Sequence, residues 1–148
     1  MLNRVIVGFG SELYSQMLEK RFDILRKPLG FGDFSKEDLE GEDKQVHLAF
    51  VESESILGGC VLVRGGSFFK LRQMFVCPSQ QGRGIGRDIL AFAEDYVLEQ
   101  GGAKMVMHAR KVAVPFYLKS GYSIQSDEFT EVGIPHVVMG KTLVDEGR

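Results

Sequence analysis

The sequence predicts a single α/β domain covering residues 1–148. Three observations carry that expectation. Short β-rich runs alternate with stretches of helical periodicity, a glycine-rich turn at residues 81–86 joins one kind to the other, and no linker, repeat or low-complexity tract divides the chain. Composition agrees, because 44% hydrophobic and 26% charged residues are ordinary for a soluble globular chain, and 148 residues suffice to bury a core.

Val5, Ile6 and Val7 predict a first strand, closed by Gly8-Phe9-Gly10. Ser11 followed by Glu12 reads as a helix N-cap, and Leu13, Tyr14, Met17, Leu18, Phe22 and Leu25 keep helical spacing, so a helix is expected to end near Arg26, ahead of Pro28 and Gly30. Residues 29–44 read as a loop, acidic at Asp33, Glu37, Asp38, Glu40, Glu42 and Asp43. Such a loop is either simply solvated or lies over a site that attracts a cationic amine. Residues 46–51 and 59–63 predict a hairpin across the Ser, Glu and Gly residues of 53–58, and residues 68–77 a third strand after Gly65-Gly66. A helix then runs from the glycine-rich turn to Gly101-Gly102, followed by a strand over 103–109 in which Met105 and Met107 alternate with Lys104, Val106 and His108. A short helix containing Pro115 and capped by Gly121 comes next, then two strands near 122–129 and 136–143 around Gly133 and Pro135. The tail from Asp145 is expected to fray.

Charge excludes some partners. The net charge is −2, from 18 Lys and Arg against 20 Asp and Glu, so no global basic field draws nucleic acid. No apolar run is long enough to span a membrane and the start lacks a signal-peptide pattern, which makes the cytoplasm the expected location and a membrane partner unexpected. Cys60 and Cys77 form no Cys-x-x-Cys pair and read as small buried hydrophobes. His47, His108 and His136 are too scattered to suggest a metal site.

The chemistry concentrates at Gln81, Gly82, Arg83, Gly84, Ile85 and Gly86. Alternating glycines let successive backbone N–H groups point at one anion, and Ile85, Ile89, Phe92, Ala93, Tyr96 and Val97 start a helix there whose positive end faces the same guest. Arg83 and Arg87 add charge, so a phosphate or pyrophosphate is the expected ligand. A dinucleotide fingerprint would need glycine where Arg87 stands, and a Walker loop would need Gly-Lys-Ser/Thr; neither is present.

At this point the chain resembles the GNAT superfamily of acetyl-CoA-dependent N-acetyltransferases. That family's loop reads Arg or Gln, two residues, Gly, one residue, then Gly or Ala, which Gln81, Gly84 and Gly86 match. Phe116-Tyr117-Leu118-Lys119-Ser120-Gly121-Tyr122 looks like its second landmark, one helix and one strand further on. Within the superfamily, the segments 70–74, 108–110 and 129–136 look like an ElaA-like branch. The resemblance covers nearly the whole chain and implies a mixed, mostly antiparallel sheet flanked by helices.

The resemblance also assigns roles. It implies acetyl-CoA as cosubstrate, with pantetheine pairing along Met74, Phe75 and Val76 and the diphosphate on the amides of Gln81, Gly82, Arg83, Gly84, Ile85, Gly86 and Arg87. A backbone N–H near Val76 would stabilise the oxyanion, worth about 3 kcal/mol. It places a general acid at Tyr117, and a phenol, titrating near pH ~10, is protonated at neutrality and able to supply a proton to a thiolate; the other reading is an ordinary helix aromatic. Arg72 and Gln73 stand where some members carry a glutamate base, and neither abstracts a proton at neutral pH. His136, Glu128 and Glu131 are the alternatives for draining the amine's proton through water, each also readable as structural. Arg110 replaces an asparagine common in the family and either reaches a cofactor phosphate, binds an anionic group on the acceptor, or forms a surface salt bridge. With Lys70, Arg72 and Arg83 it leaves a phosphorylated amine open. The expected function is direct acetyl transfer to a small-molecule primary amine without a metal, with a homodimer by family habit. The alternatives are a protein or peptide N-acetyltransferase and a non-catalytic coenzyme A binding module.

Overall fold

The computed structural model of the chain describes residues 2–143. They fall into two compact units: one holds the chain up to Val63 together with Gln73–Ala93, the other holds Arg64–Arg72 and the chain from Glu94 onward. The tail from Asp145 lies outside the described residues. No helix among those described is long and apolar enough to cross a membrane.

In the first unit β1 (Asn3–Val7) pairs antiparallel with β2 (Val46–Glu52), which pairs antiparallel with β3 (Ser55–Gly65). β3 begins four residues earlier than the start at residue 59 that the sequence suggests. The turn contracts to Ser53 and Glu54, both at positive φ (49° and 67°), the two-residue geometry that follows the twist of a hairpin. Ile56 and Leu57 thereby join the strand and are buried.

Helix α1 (Glu12–Arg21) starts as expected, with Ser11 Oγ accepting from the Tyr14 backbone N–H at 3.1 Å. Its regular part stops at Arg21. The coil continues as a wider π turn over Phe22–Arg26 and a tight 3₁₀ turn over Lys27–Leu29, closing at Gly30 in the left-handed region. Pro28 has no N–H to extend the ladder, which accounts for the end. The acidic segment beyond is pinned rather than loose. Arg26 Nε donates to the Gly32 carbonyl at 2.8 Å, Ser35 and Asp38 exchange hydrogen bonds, and the Phe34 ring carries the guanidinium groups of both Arg21 and Arg26. Val7, Tyr14, Met17, Ala49, Ile56, Val61 and Phe75 form the core beneath.

β4 (Phe68–Val76) crosses from one unit to the other, and so does α2 (Ile85–Glu99). In the second unit β4 pairs parallel with β5 (Lys104–Arg110) over Phe68 to Leu71, and β5 pairs antiparallel with β8 (Ile134–Thr142). The sheet is mixed and mostly antiparallel, as expected. The C-terminus of α2 closes with Gly101 N–H on the Leu98 carbonyl and Gly102 N–H on the Val97 carbonyl, a Schellman cap. Helix α3 (Val114–Lys119) carries Pro115 in its first turn.

The strand expected over 122–129 is two shorter ones, β6 (Ser123–Ile124) and β7 (Phe129–Glu131), both on β8. Between them Gln125 N–H donates to the Val138 carbonyl at 2.8 Å, and Ser126 Oγ accepts from the Val138 N–H at 2.8 Å. These bonds satisfy β8 while the opposing chain bulges out. β8 itself begins at Ile134, because the turn is only Val132 and Gly133, both at positive φ. Pro135 fits there since the last β5 pair is Arg110 with His136, one residue further in.

Candidate active site

In the first unit the glycine loop has the predicted form. Gly82 and Gly84 lie at φ 84° and 77°, where a side chain is strained, and Gly82 has nothing within 4 Å of where a Cβ would stand. The first intrahelical bond of α2 runs from Asp88 N–H to the Gly84 carbonyl at 3.1 Å. Helix geometry therefore leaves the amides of Ile85, Gly86 and Arg87 without intrahelical acceptors. Buried Ile85 and Ile89 seat the helix over Gly58, where a Cβ would come within 2.6 Å of Ile89 and 2.7 Å of the Phe75 carbonyl. Gln81 Nε2 donates to the Val76 carbonyl at 3.4 Å, tying the loop to the end of β4. The Arg87 guanidinium lies 3.6 Å from the Cβ position of Gly84, over the loop. Arg83 instead leans to Gln80 and Glu52.

Along β4, Phe75 is buried and Met74 and Val76 are half-buried. Gln73, just before them, takes φ 52°, a left-handed kink in the strand. Its Oε1 accepts from Arg21 Nε at 3.3 Å. Arg21 is fully buried and binds Glu42 through two parallel N–H···O contacts, both 2.8 Å. Tyr14 Oη donates to the same carboxylate at 2.7 Å, and His47 Nε2 donates to the Glu42 carbonyl at 2.8 Å. Burial first, then the bond to Glu42, pushes the Tyr14 phenol far above its usual range. The sequence reading places Glu42 among the acids of a loop that is either solvated or lies over a site for a cationic amine, and passes over Arg21. One signal was available, since Arg21 stands four residues after Met17 and seven after Tyr14 on the apolar stripe.

The second unit holds Tyr117, buried at 8% exposure, its ring edge-on to Phe116 and Tyr122 at 5.2 and 5.9 Å between centroids. Tyr122 is locked in turn, its Oη donating to Glu94 at 2.8 Å and Lys141 bridging Glu94 to the Ser120 carbonyl.

The register of β5 on β8 gathers two of the proposed proton acceptors. His108 lies opposite Val138 and Arg110 opposite His136, while Glu131 lies opposite Ile134 on the other side of β8. His108 Nδ1 meets Glu131 Oε1 at 2.8 Å, and His136 Nε2 is 3.7 Å from Glu131 Oε2. His136 Nδ1–H donates to the Ile134 carbonyl at 2.8 Å, which directs Nε2 at the carboxylate. Phe129 stands against both imidazoles. Partial burial raises the Glu131 carboxyl, but the His108 hydrogen bond and the charges of His108, His136 and Lys70 outweigh it and hold it below the usual range. Glu128 is separate, paired with Lys111 at 3.0 Å. Beside this cluster a cleft of about 400 Å³ is lined by Lys111, Val112, Ile134 and Pro135. Neither the cleft nor the part of His108 was visible in the sequence, where residues 108, 112, 131 and 134 share no local pattern.

The family described as acetyltransferase (GNAT) domain matches residues 31–143. The chain is 31% identical over 106 residues to the uncharacterized N-acetyltransferase YjcF of Bacillus subtilis strain 168, covering 71% of this chain and 74% of that one. Its fold is similar to that of an aminoglycoside 6'-N-acetyltransferase complexed with coenzyme A, with TM-score 0.78, 18% identity, and 97% and 98% of the two chains covered. It is also similar to Escherichia coli ElaA, with TM-score 0.76, 14% identity, and 95% and 99% covered. A loop that leaves helix-start amides free, on a chain matched over residues 31–143, belongs with these proteins: the chain is a member of the GNAT acetyltransferase family and an acyltransferase.

Proposed function

We propose that this chain moves an acetyl group from acetyl-CoA directly to the primary amine of a small molecule, its 148 residues working as one catalytic domain. The observation that carries the reading is the loop at Gly82 and Gly84, whose left-handed turns open the N-terminus of α2 and leave three amides for an anion. The residues fit a diphosphate: the amides of Ile85, Gly86 and Arg87 would hold it, the open side of Gly82 admits close approach, and the Arg87 guanidinium adds charge. The coenzyme A in the aminoglycoside enzyme of like fold supports the same cosubstrate here. Acetyl-CoA supplies the activated acetyl thioester.

The chain's own part is to orient and to move protons. As the N–C bond forms and the C–S bond breaks, the amine must lose a proton and the thiolate must gain one. Tyr117, held by Phe116 and Tyr122, gives its phenolic proton to the thiolate. The amine's proton goes to His136 Nε2, backed by Glu131, through water. Glu128, engaged by Lys111, is the lesser candidate.

Thermal unfolding with acetyl-CoA, with ATP and NAD as controls, tests the reading. A ligand at about 100 times its Kd stabilises by about 2.7 kcal/mol, a midpoint rise of roughly 5–11 °C at this chain length. Gly84→Glu should fold and lose the response. A chain that ignores acetyl-CoA, or a Gly84→Glu variant that still responds, refutes it.

A further inference from the structure

The cleft beside Glu131 has a composition that selects. Val112, Ile134 and Pro135 give it hydrocarbon walls, and Val112 is 88% exposed. Its volume, about 400 Å³, lies within the range of small-molecule sites. Lys111, a cation of the lining, faces the Glu128 carboxylate at 3.0 Å. At its edge the charge is of the opposite kind. Ile134 and Glu131 are directly opposed across the β7–β8 pair, which puts their side chains on the same face about 5 Å apart at Cβ. His108 from β5, His136 from β8 and Lys70 from β4 face that carboxylate, which is held below its usual range.

An apolar wall ending at a fixed carboxylate complements a guest that is hydrocarbon at one end and ammonium at the other. We infer that the acceptor of this enzyme is a primary amine with a compact apolar body, which packs on Val112, Ile134 and Pro135 while its ammonium meets Glu131. This rests on the acetyltransferase reading above and names its substrate class. It sets aside the phosphorylated amine that Arg110, with Lys70, Arg72 and Arg83, leaves open in the sequence.

The probe is 2-phenylethylamine, compared with ethanolamine and glucosamine 6-phosphate as acceptors, with release of the coenzyme A thiol as the readout. The apolar amine should show kcat/KM at least about tenfold above either competitor, the discrimination that a few methylenes support in a fitted pocket. Val112→Asp alters an exposed side chain and should raise KM for 2-phenylethylamine about tenfold, while the midpoint shift given by acetyl-CoA stays intact. Calorimetric titration of 2-phenylethylamine onto the coenzyme A complex reads the same difference when turnover is slow. Equal or better use of ethanolamine or glucosamine 6-phosphate overturns the inference, and so does 2-phenylethylamine that neither binds nor reacts, or that binds the variant as well as the parent. In those cases the acetyl-CoA shift persists and the acetyltransferase reading stands. A missing acetyl-CoA shift overturns both.

Discussion

Cutting the buried ion pair of the first unit from one side and then from both gives the sharpest prediction. Arg21 and Glu42 have side-chain exposures of 0% and 1% and meet through two 2.8 Å contacts. Glu42→Leu takes the carboxylate from the buried Arg21 guanidinium, which keeps the Gln73 amide oxygen and the Phe34 ring, and Arg21→Met takes both guanidinium contacts from the Glu42 carboxylate, which keeps the Tyr14 hydroxyl. Breaking a buried pair in this way costs about 3–5 kcal/mol, because an uncompensated charge remains in a low-dielectric interior. At this length that is a fall of roughly 6–20 °C in Tm. The double variant removes both charges, and hydrocarbon of similar volume in place of a buried pair is often neutral. Tyr14 and Gln73 then lose partners, which returns about 1–3 kcal/mol of cost.

The double variant should therefore be less damaged than either single one, with a coupling energy of at least about 3 kcal/mol. Urea unfolding of the four proteins, followed by circular dichroism, measures it. Additive effects, or single variants costing less than about 1 kcal/mol, would show that the pair is far better solvated than its burial implies.

Two further outcomes follow from the second unit. Tyr117→Phe removes the proposed proton donor while keeping the ring between Phe116 and Tyr122, so kcat should fall about 10²–10⁴-fold with KM for acetyl-CoA unchanged, and a loss below tenfold in steady-state assay removes the acid role. Glu131 has its folded-state carboxyl held below the unfolded value, so its contribution is present above about pH 4.3 and is lost as pH falls through the lower folded value; Tm measured from pH 7 to 3 should drop less steeply in Glu131→Gln, and parallel curves would contradict the assignment.

The parts legible in the sequence are those whose causes are local. Three glycines, a helix period starting at Ile85 and a Phe-Tyr pair ahead of Gly121 each act within a few residues of themselves, and each appears where expected. Hairpin ends were placed less well, because Ser53, Glu54 and Val132 adopt the left-handed region that spacing rules reserve for glycine. Partnerships across distance were hidden altogether. Nothing near residue 42 distinguishes Glu42 from five neighbouring acids; what selects it is a helix that turns Arg21 inward 21 residues earlier. His136 and Glu131 were nameable from their chemistry, but their meeting with His108 depends on which residue of β5 faces which residue of β8.

That dependence ties the site to the core more closely than either shows alone. On β5, Met105, Met107 and Ala109 are buried and alternate with Lys104, Val106, His108 and Arg110, which are half-exposed. On β8, Val137 and Met139 are buried, and His136 belongs to the alternate set that includes Ile134. A slip of one residue between these strands would send the methionines outward and bury His108, so the energy that opposes the slip is the burial of side chains with no chemistry of their own. The distance of 2.8 Å between His108 and Glu131 is in this sense held by Met105, Met107 and Met139. Substitutions there that keep volume, such as Met→Leu, preserve the register and should preserve the meeting of His108, His136 and Glu131, whereas a polar residue at Met107 weakens the burial that helps align β5 with β8.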